Sequence, residues 1–365
     1  MNIVGVHLEP EGVGWHRCWN WTTDMKRRGH SVKHKPHAKV QYELSDVDEL
    51  LKGADVVITS KMANAEVFAA LLAGRDLYKY KLVVDTDDDA DSLEEMTPAF
   101  RDFHSSAGIT RLIRAQYRAA DLVTVSTAHL AEKIRKYNAH LTIVPNCVDL
   151  DMHTSALGRQ KEARHANDVR IYWGGGGGHY PDLLMVKDAV TRVFNEDSRV
   201  KLVFSNFVPD WAADLSPRRV FMIPFAKLNA YAKVLKWICA DVAIAPMLDT
   251  EFNRSKSNVK WLDYSMAGIP GVYSDVLPYA SVRNGVTGLK ATDTQSWYEA
   301  LMRLIAETKL RKDIVAASQA EIHARWTIKT WGARYETMLQ ELIGRRAIPR
   351  ITALSEDSVA EAVNA

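Results

Sequence analysis

Cysteine is scarce: Cys18, Cys147 and Cys239 are the only three in a chain of 365 residues. They lie far apart and fit neither a disulfide framework nor a zinc-ligand spacing, so a reducing compartment is the expectation. No apolar run approaches the length that spans a bilayer, and no transmembrane segment is expected. The opening stretch NIVGVHLE enters a strand without the basic-then-apolar layout of a secretion signal, which points to the cytoplasm. An excess of charge is also missing, since 47 Lys and Arg face 45 Asp and Glu for a formal net charge of +2. That balance singles out no class of partner. What remains, 47% hydrophobic and 25% charged residues, is the composition of a soluble globular enzyme, and the length suggests two domains.

The first part of the chain alternates strand and helix signals. β-Branched, apolar runs occur at 2–6, 55–60, 81–86, 121–126 and 141–146, and helix-like segments at 15–29, 62–74, 108–120 and 128–137. Runs with little internal alternation, separated by helices, read as parallel strands buried on both faces. Residues 151–168 are polar and without pattern and read as a linker after an N-terminal domain 1–150. The alternation then restarts over 169–330, with strands at 169–174, 199–205, 218–225, 241–247 and 270–275. Helical intervals fall at 182–195, 229–239, 256–267 and 295–306, a C-terminal helical stretch at 312–343 with a closing helix at 331–345, and a tail without core pattern at 346–365. The expectation is an α/β protein of two doubly wound, Rossmann-like domains facing a cleft.

One stretch stands out, IYWGGGGGHYPDL, beginning at Ile171. Five consecutive glycines form either a flexible joint or a place where backbone must come very close to something else. The run abuts a strand and opens a helix, which favours close approach. A dinucleotide fingerprint fails because His179 stands where its third glycine belongs, and a kinase-type phosphate loop fails because no lysine follows. An anion at a strand-to-helix turn remains the fitting ligand, because helix N-terminal amides point outward with partial positive charge.

The segment DVAIAPMLDTEFNRSKSNVKWLDYSMAGIPGVYSD (241–275) resembles the donor-binding region of glycosyltransferases with the two-Rossmann GT-B fold. The resemblance is to their large retaining branch, which includes sucrose-phosphate synthases and many bacterial and phage sugar transferases. Other pieces agree in order: GVGWHRCWNWTTDMKRRGHSV, VVDTDDD, ADLVTVSTAHLAEKI with VPNCVDLD, YWGGGGGHYPDL, and NGVTGLK at 284–290. The resemblance implies sugar transfer from a nucleoside-diphosphate sugar to an acceptor hydroxyl, without a metal or further cofactor. Members often carry two glutamates eight positions apart, where this chain has Ser255 and Asp263.

Carried onto this sequence, the resemblance places Gly175, Gly176, Gly177, Gly178, Lys256 and Ser257 at the diphosphate, with Lys260 in reserve. His179 would lie near the transferring sugar, Asp263 at the ribose, Phe225 beside the base, and Asp249, Glu251 or Asn253 at the sugar hydroxyls. On the acceptor side stand Trp15 and His16 after the first strand, Asp88 in DTDDDAD (85–91), and His104. A histidine there suits orienting or deprotonating a hydroxyl, since imidazole titrates near neutrality. The clustered aspartates invite a metal reading, but an EF-hand pattern fails for want of glycine and of a glutamate at the twelfth position. Residues 26–39 carry six Lys and Arg and three His with no acid, a stretch suited to an anionic surface or DNA. The acceptor stays open among glycan, protein and a hydroxylated DNA base. A nucleotide-sugar epimerase of the same fold and a nucleic-acid-binding protein with a degenerate donor site are the alternatives.

Overall fold

The structure, a computed structural model, describes residues 1–7, 12–36, 44–92, 108–154, 167–224 and 226–344. Strands β1 (Asn2–His7), β2 (Ser31–Pro36), β3 (Val56–Ser60), β4 (Lys81–Thr86), β5 (Leu122–Val125) and β6 (Leu141–Ile143) form a first sheet. Its order is β2-β1-β3-β4-β5-β6, and every pairing is parallel. Strands β7 (Val169–Gly174), β8 (Val200–Ser205), β9 (Val220–Ile223), β10 (Val242–Ala245), β11 (Gly271–Ser274) and β12 (Leu289–Ala291) form a second. That order is β12-β11-β10-β7-β8-β9, again parallel throughout.

Burial on both faces follows from the sequence of the central strands. VVITS in β3 is buried along its whole length, and KLVVDT in β4 is buried beyond its lysine. Side chains alternate between two cores: Val4 and Val6 of β1 pack on one face of the first sheet, Ile3 on the other. In β7, Val169, Ile171 and Trp173 enter one core while Tyr172 enters the opposite one. Two edge strands, β2 and β12, lie outside the expected set. SVKHKP carries lysines and a histidine in place of an apolar run, and β12 is three residues long.

Three expected helices take a different form. The segment from Trp15 begins as a π-turn, Trp15–Trp19, before the α-helix Asn20–Arg27. The helix expected over 182–195 is two, Tyr180–Met185 and Lys187–Glu196, interrupted at Val186. The C-terminal helical stretch is broken between Thr308–Arg325 and Ile328–Gly344, where Thr327 makes a parallel bridge to Val148.

That break sends the last helix back across to the first sheet. Ile328, Tyr335, Leu339 and Leu342 join Ile3, Trp21 and Met25 in one core, with the Trp21 and Tyr335 rings stacked at 4.9 Å. Glu336 on this helix takes His30 at 2.7 Å and Arg28 at 3.4 Å. Gly332 sits where a Cβ would collide with Asp24 and Arg28, so glycine permits the crossing. Each sheet reverses its strand order beside its own first strand, between β1 and β3 and between β7 and β10. Ligands of open α/β sheets bind beyond such reversals. The segment from Trp15 to Trp19 follows one, and the glycine run follows the other.

Candidate active site

The glycine run leaves β7 and makes one 3-10 turn, Gly177–His179. None of its residues has φ in the left-handed region, so glycine is not required there for backbone angle. At Gly175 a Cβ would lie 2.7 Å from the Trp173 ring, so packing demands glycine. At Gly176 a Cβ would meet nothing within 4 Å among the described residues, and Gly176, Gly177 and Gly178 are exposed. Neither strain nor packing explains glycine at 176, and open space lies in front of it.

Asp182, which the sequence reading did not select, ties this turn to the loop after β10. Its Oδ1 accepts from the Leu248 amide at 2.8 Å and from Asn253 Nδ2 at 3.2 Å. Its Oδ2 lies 2.8 Å from His179 Nδ1. Burial alone would raise this carboxyl, but hydrogen bonds from His179 and the Leu248 amide hold it below its ordinary value. An ionised carboxylate can only accept, so His179 Nδ1 carries the hydrogen and Nε2 presents a lone pair. His179 itself is pushed down to about 4, chiefly by Lys260 and then by burial, and is neutral at pH 7. The i, i+3 spacing of His179 and Asp182 was the available signal.

Three basic groups converge here. Among the described residues Lys260 Nζ has no hydrogen-bond partner, and it sits 5.0 Å over the Trp173 ring. Burial, and then Lys256, bring its pKa down to about 8 although Asp182 opposes them. Lys256 lies 4.7 Å over the Phe252 ring. Lys256 lowers Lys260, and both lysines lower His179, so the cluster at the end of the glycine turn is short of counter-charge. The arrangement is built for an anion.

The other donor-side residues divide. Asp263 is buried on the helix Val259–Met266, accepts from the Tyr231 hydroxyl at 3.2 Å, and is pushed up to about 7 by burial. Asn253 spends its amide on Asp182 and the Leu248 carbonyl. Asp249 is exposed and paired with Arg254 at 2.8 Å. Glu251 reaches into the first domain, to Lys133 and to His129. Ser255 is fully buried, and its Oγ has no partner among the described residues.

On the first-domain side, the aspartates of 85–91 take separate roles. Asp85 receives Arg17 in a two-pronged buried pair, at 3.0 Å and 2.8 Å. Lys61, just beyond β3, reaches Asp88 at 3.0 Å and Asp87 at 3.3 Å. Asp89 binds the Asp91 amide and the Ser92 hydroxyl, and Asp91 pairs with Arg114 and Lys136. Among the described residues no group of three His, Cys, Asp or Glu is arranged to hold a metal ion. Burial pulls Lys61 down, but Asp88 and Asp87 keep it above its ordinary value. Burial would raise Asp88, yet Lys61 and then Lys256 hold it down, with His179 adding to them. Burial and Asp88 push its neighbour Asp87 up.

Trp15 and His16 stand in the π-turn, both half-buried. Burial, Arg17 and His153 push His16 down to about 4; Arg17 belongs to the same turn and His153 to the connection after β6, and neither belongs to the glycine turn. His104 and Phe225 lie outside the described residues. Much of the basic stretch 26–39 is engaged internally. Arg27 pairs with Asp149 at 3.0 Å, Arg28 with Asp24 at 2.6 Å and His30 with Glu336, while His34 stacks on Trp19 at 4.1 Å. Residues 37–39 lie outside the described residues.

No protein-family model matches the sequence, and no curated protein is similar to it at a significant level. Solved structures are similar in fold. HepE of Anabaena in complex with UDP-glucose is 13% identical with a TM-score of 0.67, over 93% of this chain and 100% of that one. Sucrose-phosphate synthase from Thermosynechococcus elongatus is 11% identical with a TM-score of 0.66, over 94% and 100%. A putative UDP-N-acetylglucosamine 2-epimerase from Listeria monocytogenes is 10% identical with a TM-score of 0.54, over 97% and 99%. Two parallel six-stranded sheets, each reversed beside its first strand, together with these likenesses, give this chain the GT-B fold.

Proposed function

We propose that the chain is a glycosyltransferase that moves a sugar from a nucleoside-diphosphate sugar to an acceptor hydroxyl. The observation that carries this reading is the pair of cations at the end of β7: Lys260 lies 5.0 Å over Trp173, Lys256 acts on Lys260, and both act on His179 at the end of the glycine turn. Departure of a nucleoside diphosphate builds negative charge, and fixed cations with backbone amides stabilise it best where water is excluded. In this reading Lys256, Ser257 and Gly175 to Gly178 hold the diphosphate and supply the charge that a metal provides elsewhere. Asp263 accepts from the ribose diol, as a buried carboxyl with a single hydroxyl donor can still do. His179 Nε2 accepts from a sugar hydroxyl.

Asp88 faces the transferring sugar or the acceptor, and Trp15 and His16 line the acceptor side. The fold shared with HepE, solved with UDP-glucose, favours a UDP-sugar donor. Retention of configuration, a cytoplasmic location and the domain limits 1–150 and 169–330, with 331–345 closing the fold, belong to the same proposal. Acceptor classes are glycan, protein or a hydroxylated base in DNA.

Incubation with a panel of UDP- and GDP-sugars, reading released diphosphate, tests it. Turnover lost in Lys256→Ala is expected, and an absence of turnover and of binding with every donor would sink the reading. The likeness to the putative 2-epimerase favours one second reading, isomerisation of the nucleotide sugar. An isomerised free nucleotide sugar without transfer would establish it instead.

A further inference from the structure

The loop that carries Lys256 is fastened at both ends by the other domain. Thr127 Oγ1, at the start of the helix after β5, donates to the Ser255 carbonyl at 2.9 Å. Asn146 Nδ2, beyond β6, donates to Ser257 Oγ at 2.6 Å. Lys256 lies between these two anchors. Asn146 is itself buried at 5% exposure, and its Oδ1 accepts from Arg17 Nη1 at 3.0 Å.

The chemistry of this chain of bonds has a direction. Arg17 can only donate, and it also grips the Val144 carbonyl at 2.6 Å and Asp85 through its two other nitrogens. Asp85 is fixed further by the Thr124 hydroxyl at 2.6 Å. The Asn146 amide is thereby oriented with its oxygen towards Arg17 and its NH2 towards Ser257. Ser257 Oγ must accept, so its own hydrogen is left for another acceptor.

We propose that Asn146 and Thr127 are positioning residues for the Ser255–Ser257 loop. By fastening it across the interface they set Lys256 and leave the Ser257 hydroxyl as a donor to the diphosphate. This rests on the reading of the site as a nucleotide-sugar site. The donor-side cation is then in place only when the two sheets are docked, and Arg17 and Asp85 act behind Asn146.

Two measurements on the full chain test it separately from that reading. In the free protein, amide exchange over 253–260 is expected to speed up about tenfold in Asn146→Ala and in Thr127→Val. Asn146→Asp, which still accepts from Arg17 and can take the Ser257 hydrogen, restores protection. Unchanged exchange in both variants overturns the positioning role. With UDP as the probe, calorimetric affinity is expected to fall about tenfold in Asn146→Ala and in Ser257→Ala. The double variant should be no weaker than the worse single, since both break one bond. UDP binding by wild type with full affinity in these variants also overturns the proposal. No UDP binding by wild type removes the donor reading, while exchange still decides whether the loop is held from the first domain. Unfolding temperatures of the free variants show which of them are folded, and Ser257→Ala, which alters a half-buried hydroxyl, keeps the test open if Asn146→Ala does not fold.

Discussion

The Tyr231 hydroxyl donates to Asp263 Oδ2 across 3.2 Å, the single side-chain bond that this buried carboxyl makes among the described residues. One neutral donor does not offset the loss of water around a carboxylate, which is why burial pushes Asp263 up to about 7 from an ordinary value of 3.8. Between those values the native state holds a proton that the unfolded chain has released. The resulting stability is fully present below about 3.8 and is lost as pH rises through about 7. Asp263→Asn keeps the shape and removes the titration. Relative to wild type, the variant is expected to gain stability from pH 5 to pH 8, on the order of a few kcal/mol. Urea unfolding at a series of pH values reads this, and parallel pH profiles would refute it. UDP affinity should fall in the same variant, because the diol loses an ionisable acceptor.

Lys260 and His179 make a second pH test. Lys260 is the largest cause of the low His179 pKa of about 4, ahead of burial, while Asp182 pulls the other way. Removing the ammonium in Lys260→Met should let the imidazole titrate higher. An NMR titration of the His179 ring measures this directly. A value that stays near that of wild type would mean that burial, not the neighbouring cation, keeps the ring neutral. UDP binding should weaken in the variant, because an anion loses a desolvated cation.

Arg17 and Asp85 form a pair with side-chain exposures of 1% and 3%, so breaking it leaves an unpaired buried charge. Arg17→Ala is expected to cost about 3–5 kcal/mol. Arg17→Met combined with Asp85→Leu should cost much less than that, because neither charge is then stranded. Thermal unfolding of both variants decides. A double variant as unstable as Arg17→Ala would show that the Val144 and Asn146 bonds, not the ion pair, hold this part of the core.

The fold was largely legible because buried parallel strands announce themselves. VVITS and KLVVDT have few polar side chains to confuse the period, and both lie centrally in the first sheet. Edges were harder, since β2 carries two lysines and a histidine in place of an apolar run and β12 is too short for any period to develop. At the site, residue type and order are what pointed to Lys256 and Asp263. Asp182, Lys61 and Arg17 were passed over because their partners are distant in sequence. Asp182 meets Leu248 and Asn253, Lys61 meets Asp87 and Asp88, and Arg17 meets Asp85 and Asn146. Asn253 and Asp249 were chosen as polar residues in the right loop, but hydrogen-bond partners, which a sequence does not print, occupy both.

The glycine run yields the sharpest separation of structure from binding. At Gly175 an added methyl would lie 2.7 Å from the Trp173 ring, which is buried in the core of the second sheet and has little room to give. Gly175→Ala should therefore destabilise the protein by about 1–3 kcal/mol, the usual effect of overpacking. At Gly176 the same methyl meets nothing within 4 Å and the backbone φ is −91°, so Gly176→Ala should unfold at the wild-type temperature or slightly above it. If the diphosphate packs against that bare backbone, the methyl takes its place, and UDP affinity should drop at least tenfold in Gly176→Ala. Calorimetric unfolding and UDP titration of the two variants settle the point together. A Gly176→Ala protein that binds UDP as wild type does would place the anion elsewhere along the turn, and the open glycine would lose its assigned role.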